Sequence, residues 1–164
     1  MRTDVGRDFE LDVVTRDPVQ QAGNVRVHRL ESHDAKFREL FATADIFVMP
    51  SLAECFGLAT VEAMASGLPV IVSNRGGAQD IVEPGRTGLL IEPNRDDLAA
   101  ALRAMAANRE QLPRYGREGR AVAESRFDSS ANDGRILQLM EDLAFEFTNS
   151  LRSQSVRPAG NDRD

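Results

Sequence analysis

Along the chain, the spacing of apolar residues switches repeatedly between the two-residue period of a strand and the 3.6-residue period of a helix. Phe9 to Arg16 alternates apolar and polar before closing apolar, which suits a strand. Asn24 to Leu30, with Val25, Val27 and Leu30 apolar, reads as a second short strand. Asp17-Pro18 and Ala22-Gly23-Asn24 punctuate the loop between them. That loop offers only about seven polar residues, too few for a packed crossover helix, so a short or irregular connection is expected. Asp34 is placed to cap a helix reaching about Thr43, with Phe37, Leu40 and Phe41 as its buried i, i+3, i+4 stripe.

Ile46 to Met49 is apolar throughout, as a strand buried on both faces should be, and Pro50 stops it. Leu58 to Ser66 is expected to be helical, with Leu58, Val61 and Ala65 on its packing face, ended by a left-handed Gly67 and by Pro69. Pro69 to Val72 is a second apolar strand. Gly76-Gly77 marks a turn, Ala78 to Val82 a single helical turn, and Pro84-Gly85 another turn. Thr87 to Ile91 is a short strand closed by Pro93. Asn94 caps a helix from about Asp96 to Ala106, with two aspartates where the helix dipole favours them. Two more helices follow, about Pro113 to Ser125 and about Ser129 to Leu151. The last carries Ile136, Leu139, Met140, Leu143 and Phe147 in helical spacing, a stripe expected to pack into the local core, the alternative being a face that packs across to another domain. Alternating strands and helices predict an α/β fold with a parallel sheet covered on both faces. Residues 1–8 read as a polar N-terminal segment, 9–151 as one domain, and 152–164 as a disordered tail.

Composition narrows the function classes. The 164 residues are 41% hydrophobic and 28% charged, as in an ordinary soluble domain. No apolar run approaches the ~20 residues of a membrane span, and no transmembrane segment or signal peptide is expected. A net charge of -6 leaves no basic surplus for a nucleic-acid backbone. The single cysteine, Cys55, allows no internal disulfide or multi-cysteine metal site, and a cytoplasmic location follows as the expectation. His28 and His33 stand five apart with no cysteine near them, so no zinc site is expected.

The candidate chemistry gathers between Asp45 and Asn74, which reads as strand, loop, helix and strand. In open α/β sheets ligands lie beyond the carboxyl ends of the strands, where Ser51 to Gly57 falls. A helix starting at Leu58 would offer free N–H groups and the positive end of its dipole to an anion such as a diphosphate. Gly57 would leave room for an oxyanion. Glu54 and Glu62 could each accept two hydrogen bonds from a vicinal diol of a sugar or ribose. Residue pattern alone also allows a Glu54 that merely caps the helix and a Glu62 that is a solvated helix glutamate.

Glu54-Cys-Phe-Gly-Leu-Ala-Thr-Val-Glu62-Ala-Met-Ala-Ser-Gly-Leu-Pro-Val-Ile71 resembles the Glu-x7-Glu signature of family 4 glycosyltransferases, retaining enzymes with the two-domain B-type fold. Leu40 to Ser51 resembles the helix and strand that lead into that signature. Gly76 to Val82 and Gly85 to Ile91 are similar to the two segments that follow it. The similarity covers about Leu11 to Leu143. It implies a Rossmann-like α/β domain that binds a nucleotide-diphosphate sugar, with Glu54 as the catalytic residue on the donor sugar's hydroxyls. Phe56, Gly57 and Leu58 would meet the sugar and diphosphate through their backbone, and Glu62 would hold the ribose. Ser51, Gly76 and Gly77 would border the cleft, and Leu30-Glu31 would lie where the base is read. No metal or other cofactor is implied. The leaving diphosphate itself would take the acceptor's proton, so supporting it electrostatically is the main catalytic task.

The resemblance also implies a Gly-Arg strand end followed by a Lys-Gly pair gripping the diphosphate. Val5-Gly6-Arg7 echoes the first element, but the only lysine, Lys36, lies past two predicted strands. The chain is therefore expected to begin partway into the donor-binding C-terminal domain. Its partners would be a nucleotide sugar, an unknown acceptor and a separate acceptor-binding domain or chain. The expectation is a donor-binding half of a hexosyltransferase-like enzyme. The alternative is a non-catalytic nucleotide-sugar-binding or interaction module.

Overall fold

The computed structural model describes residues 9–19, 23–31 and 33–155, with side chains as far as 148. Val5-Gly6-Arg7 and the tail after Ser155 lie outside the described residues. Two compact units divide the chain, Met1–Ser125 and Arg126–Asp164, whereas the sequence pattern predicts one domain across 9–151.

In the first unit every strand pairing is parallel. β1 (Leu11–Val14) pairs with β2 (Val25–His28), and β3 (Phe47–Met49), β4 (Val70–Ser73) and β5 (Gly88–Ile91) form a three-stranded sheet in that order. The β1–β2 connection spans only 15–24, and no helix occurs among its described residues. α1 (Ala35–Thr43) precedes β3, α2 (Leu58–Ala65) joins β3 to β4, and α3 (Ala78–Ile81) joins β4 to β5. After β5 come α4 (Arg95–Ala107), a 3₁₀ turn at Arg109–Gln111, and α5 (Leu112–Arg126).

β4 is central and wholly buried, which is why its sequence is apolar up to Ser73. Ile71 packs with Ile91, Ala101 and Met105, so α4 covers one face; Val70 and Val72, pointing the other way, are equally buried. Each of the buried Ile, Val and Met side chains contributes roughly 1.5–3 kcal/mol by leaving water. β3, at the sheet edge, is only half-buried along its length, contrary to the expectation of burial on both faces. Phe37, Leu40 and Phe41 do form the inner stripe of α1, but they too are only half-buried. The rings of Phe37 and Phe41 meet edge-on at 5.0 Å, and Phe41 reaches Phe47 at 5.8 Å.

Capping follows the sequence at one helix and departs from it at another. Asn94 Oδ1 accepts from the N–H groups of Asp96 and Asp97 at 3.0 and 2.9 Å, as expected of an N-cap. Asp34 occupies the N-cap of α1 without capping it; its Oδ2 instead accepts from the Glu31 N–H at 2.7 Å. α2 ends as expected at Gly67, whose φ of +80° suits only glycine. There α5 crosses: a Cβ on Gly116 would stand 2.0 Å from the Gly67 carbonyl oxygen, and Gly119 faces Met64.

The second unit is dominated by α6 (Ser129–Ser155), four residues longer than expected. Asp128 Oδ1 accepts from the Ala131 N–H at 2.8 Å and caps it. The stripe Ile136, Leu139, Met140, Leu143 and Phe147 is 56–68% exposed, so it does not form the local core expected of it. Among the described residues no helix is long and apolar enough to cross a membrane.

Candidate active site at the carboxyl ends of β3 and β4

The loop from Ser51 to Gly57 leaves the carboxyl end of β3, and the segment 74–77 leaves the carboxyl end of β4 beside it. The two are bound together along their length. Ser73, buried at the end of β4, donates its Oγ proton to the Ser51 carbonyl oxygen at 2.6 Å. Gly76, at φ +57°, lies flat against Glu54: a Cβ there would stand 1.6 Å from the Glu54 carbonyl oxygen. The Gly77 N–H donates to the Cys55 carbonyl oxygen at 3.3 Å, and a Cβ on Gly77 would crowd the Cys55 and Phe56 carbonyls at 2.9 Å. Gly76 and Gly77 therefore fix the loop from behind, a closer role than bordering a cleft.

Gly57 is the N-cap of α2 at φ +90°. Its missing Cβ would point at Ile81 Cδ1 (3.3 Å), Thr60 Oγ1 (3.6 Å) and Glu54 Cγ (3.7 Å). Glycine is needed for its backbone conformation and that contact, rather than to leave space for an oxyanion. Thr60 N–H and Val61 N–H both turn back to the Gly57 carbonyl, at 2.9 and 3.2 Å. No side chain caps α2, so the Leu58 and Ala59 N–H groups have no partner among the described residues. They are the free donors expected at a helix N-terminus.

Glu54 does not cap the helix. Its Oε1 accepts from the Cys55 N–H at 3.1 Å, and its stem rests against Gly57. Glu54 is half-buried, and its other carboxylate oxygen has no hydrogen bond among the described residues. Glu62 is exposed, and its carboxylate has no hydrogen bond or ion pair among the described residues. The buried face of α2 is Thr60, Ala63 and Met64, not Leu58, Val61 and Ala65. At ~100° per residue Glu62 lies roughly opposite that face and one turn from Leu58 on the same side. Leu58, Phe56 and Leu52 are 67%, 48% and 80% exposed, giving the loop an apolar rim that the sequence reading named only in part.

Three contributors went unrecognised in the sequence. Besides Ser73, these are Asn74 and Glu92, which meet at the ends of β4 and β5 with Asn74 Nδ2 donating to Glu92 Oε1 at 2.5 Å. The available signal was a polar pair, Ser73-Asn74, ending an otherwise apolar strand on the side where ligands bind. Leu30-Glu31 follow β2; there Arg16 pairs with the Glu31 carboxylate at 2.5 Å. His28 Nε2 contacts Asp12 Oδ1 at 2.7 Å, and no group of three or more possible metal ligands occurs among the described residues.

The family model for glycosyl transferases group 1 matches residues 17–122. Sulfoquinovosyl transferase SQD2 of Arabidopsis thaliana is 39% identical over 90 residues, 52% of this chain and 18% of that protein. Sucrose-phosphate synthase from Thermosynechococcus elongatus superposes with a TM-score of 0.67 at 33% identity, covering 75% of this chain and 31% of that one. HepE of Anabaena, solved with UDP and glucose, superposes with a TM-score of 0.66 at 27% identity, covering 73% and 32%. The chain thus spans less than a third of the length of each of these relatives. With the family model extending over more than half of its residues, the chain belongs to the glycosyl transferases group 1 family.

Proposed function

We propose that this chain is the donor-binding half of a retaining glycosyltransferase and holds a nucleotide-diphosphate sugar. The observation that carries the reading is the loop Ser51 to Gly57, pinned by the Gly76-Gly77 turn above an uncapped helix whose Leu58 and Ala59 N–H groups have no partner among the described residues. These donors and the helix dipole receive the diphosphate. Glu54, set beside Gly57, accepts hydrogen bonds from the hexosyl hydroxyls. Glu62, on the open face one turn along, accepts them from the ribose. HepE, similar in fold, is solved with UDP and glucose, which favours a nucleotide donor here. In the transfer step the C–O bond from sugar to diphosphate breaks and the acceptor oxygen bonds to the same face of the sugar. The acceptor's proton passes to the departing phosphate oxygen. Donors aimed at the charge growing on that oxygen supply the catalysis this chain contributes. The acceptor is bound by a separate domain or chain.

Amide signals of isotope-labelled protein test this placement directly. Adding UDP, ADP or GDP should shift Leu58 and Ala59 more than any other backbone amides. Shifts confined to residues outside 51–62 and 74–77, or none with all three nucleotides, would refute the site.

A further inference from the structure

We propose that Glu92, at the carboxyl end of β5, is a positioning residue for the donor-sugar loop although it lies on the far side of β4 from it. The proposal rests on the donor site described above. Glu92 spends both carboxylate oxygens on the two residues that precede Gly76. Oε1 accepts from Asn74 Nδ2 at 2.5 Å, and Oε2 from the Arg75 guanidinium at 2.7 Å. Asn74 is also tied through its backbone, its N–H donating to the Ile91 carbonyl at 2.8 Å and its own carbonyl accepting from Gln79 Nε2 at 3.0 Å. Its side-chain oxygen, Oδ1, is buried and unpartnered. Among the described residues Glu92 is thus the one hydrogen-bond partner that fixes the Asn74 carboxamide.

From there the contacts run without a gap. Asn74 and Arg75 lead into Gly76 and Gly77, which lie against the Glu54 and Cys55 carbonyls with no room for a Cβ. Displacing the first pair moves the turn, and moving the turn moves Glu54. Arg75 and Glu92 are themselves about half exposed, at 49% and 48%. A surface ion pair of that kind adds little to global stability. Its removal therefore leaves the chain folded and changes the placement of Glu54, while Glu62, carried by α2, stays in place.

This separation gives a readout that a purely structural role would not move. The full chain and its Glu92→Ala and Arg75→Ala variants are titrated calorimetrically with UDP, ADP and GDP and with the corresponding nucleoside-diphosphate glucoses. Both variants should bind the nucleoside diphosphate within about twofold of wild type. The ratio of the two dissociation constants should shift against the glucose conjugate by about three- to tenfold. Glu92→Gln, which keeps an acceptor for Asn74 but loses the charge, should fall between. Glu62→Ala serves as the contrast, weakening both ligands equally. An unchanged ratio in both alanine variants overturns the positioning role while leaving the donor site standing. A wild-type chain that binds none of the six ligands overturns the donor site, and this role with it.

Discussion

Gly76 is packed so tightly against Glu54 that a Cβ on it would lie 1.6 Å from the Glu54 carbonyl oxygen. Two loops leaving neighbouring parallel strands are thereby made into one rigid edge, and the carboxylate proposed to meet the donor sugar sits on that edge. The rigidity comes from the lack of a side chain at Gly76, whose φ of +57° also disfavours any other residue.

Gly76→Ala should therefore cost at least about 2 kcal/mol of stability, from left-handed strain together with the displaced Glu54 backbone. Urea unfolding measures it directly. A variant within about 0.5 kcal/mol of wild type would show that the turn is not held against the loop.

Two helical glycines should respond in opposite directions. Gly116 meets the Gly67 carbonyl at 2.0 Å from its absent Cβ, so Gly116→Ala should force α5 off α2 and destabilise by about 1–3 kcal/mol. Gly134, in α6, has nothing within 4 Å of its Cβ position. Gly134→Ala should raise helix stability by about 0.5–1 kcal/mol. A Gly116→Ala variant as stable as wild type in urea would contradict the α2–α5 crossing.

The acid limb of stability should bear the mark of Asp12. The Arg26 guanidinium, and after it the His28 ring, hold the Asp12 carboxyl well below its ordinary value. A folded-state pKa below the unfolded value of about 3.9 means the stabilisation is fully present above about pH 4 and is lost as pH falls toward the folded value. Asp12→Asn should flatten the decline of the urea midpoint below about pH 4. A decline as steep in the variant as in wild type would place the acid sensitivity elsewhere.

Much of this fold was legible because it depends on local rules. The apolar run at Val70 to Val72, the stop at Gly67 and the cap at Asn94 each need only a few neighbouring residues to be recognised. The packing face of α2 was not legible. Leu58 looks like a core residue but opens the helix toward the site, while Thr60, polar in sequence, is buried beside Gly57. Gly76 and Gly77 could be read as a turn, but their contact with a loop some twenty residues earlier arises only when β3 and β4 pair. The same holds for Glu92, whose partners Asn74 and Arg75 follow the neighbouring strand, and for Gly116, whose contact with Gly67 arises only where α5 crosses. Glu54 and Glu62 are singled out by their resemblance to the family's Glu-x7-Glu signature, since residue pattern alone leaves both open to a structural role. What the motif does not contain is that the Glu54 backbone is braced by Gly76, while the Glu62 carboxylate has no partner among the described residues.

The central claim is that Glu62 and the α2 N-terminus hold a nucleotide, and calorimetry on wild type and Glu62→Ala tests it most directly. The account predicts saturable one-to-one binding of at least one of UDP, ADP and GDP. It also predicts that Glu62→Ala, unchanged in melting temperature, weakens that binding by about 1.5–3 kcal/mol, or roughly 10- to 150-fold. A folded wild-type chain that binds none of the three, or a Glu62→Ala variant that binds as tightly as wild type, would contradict it.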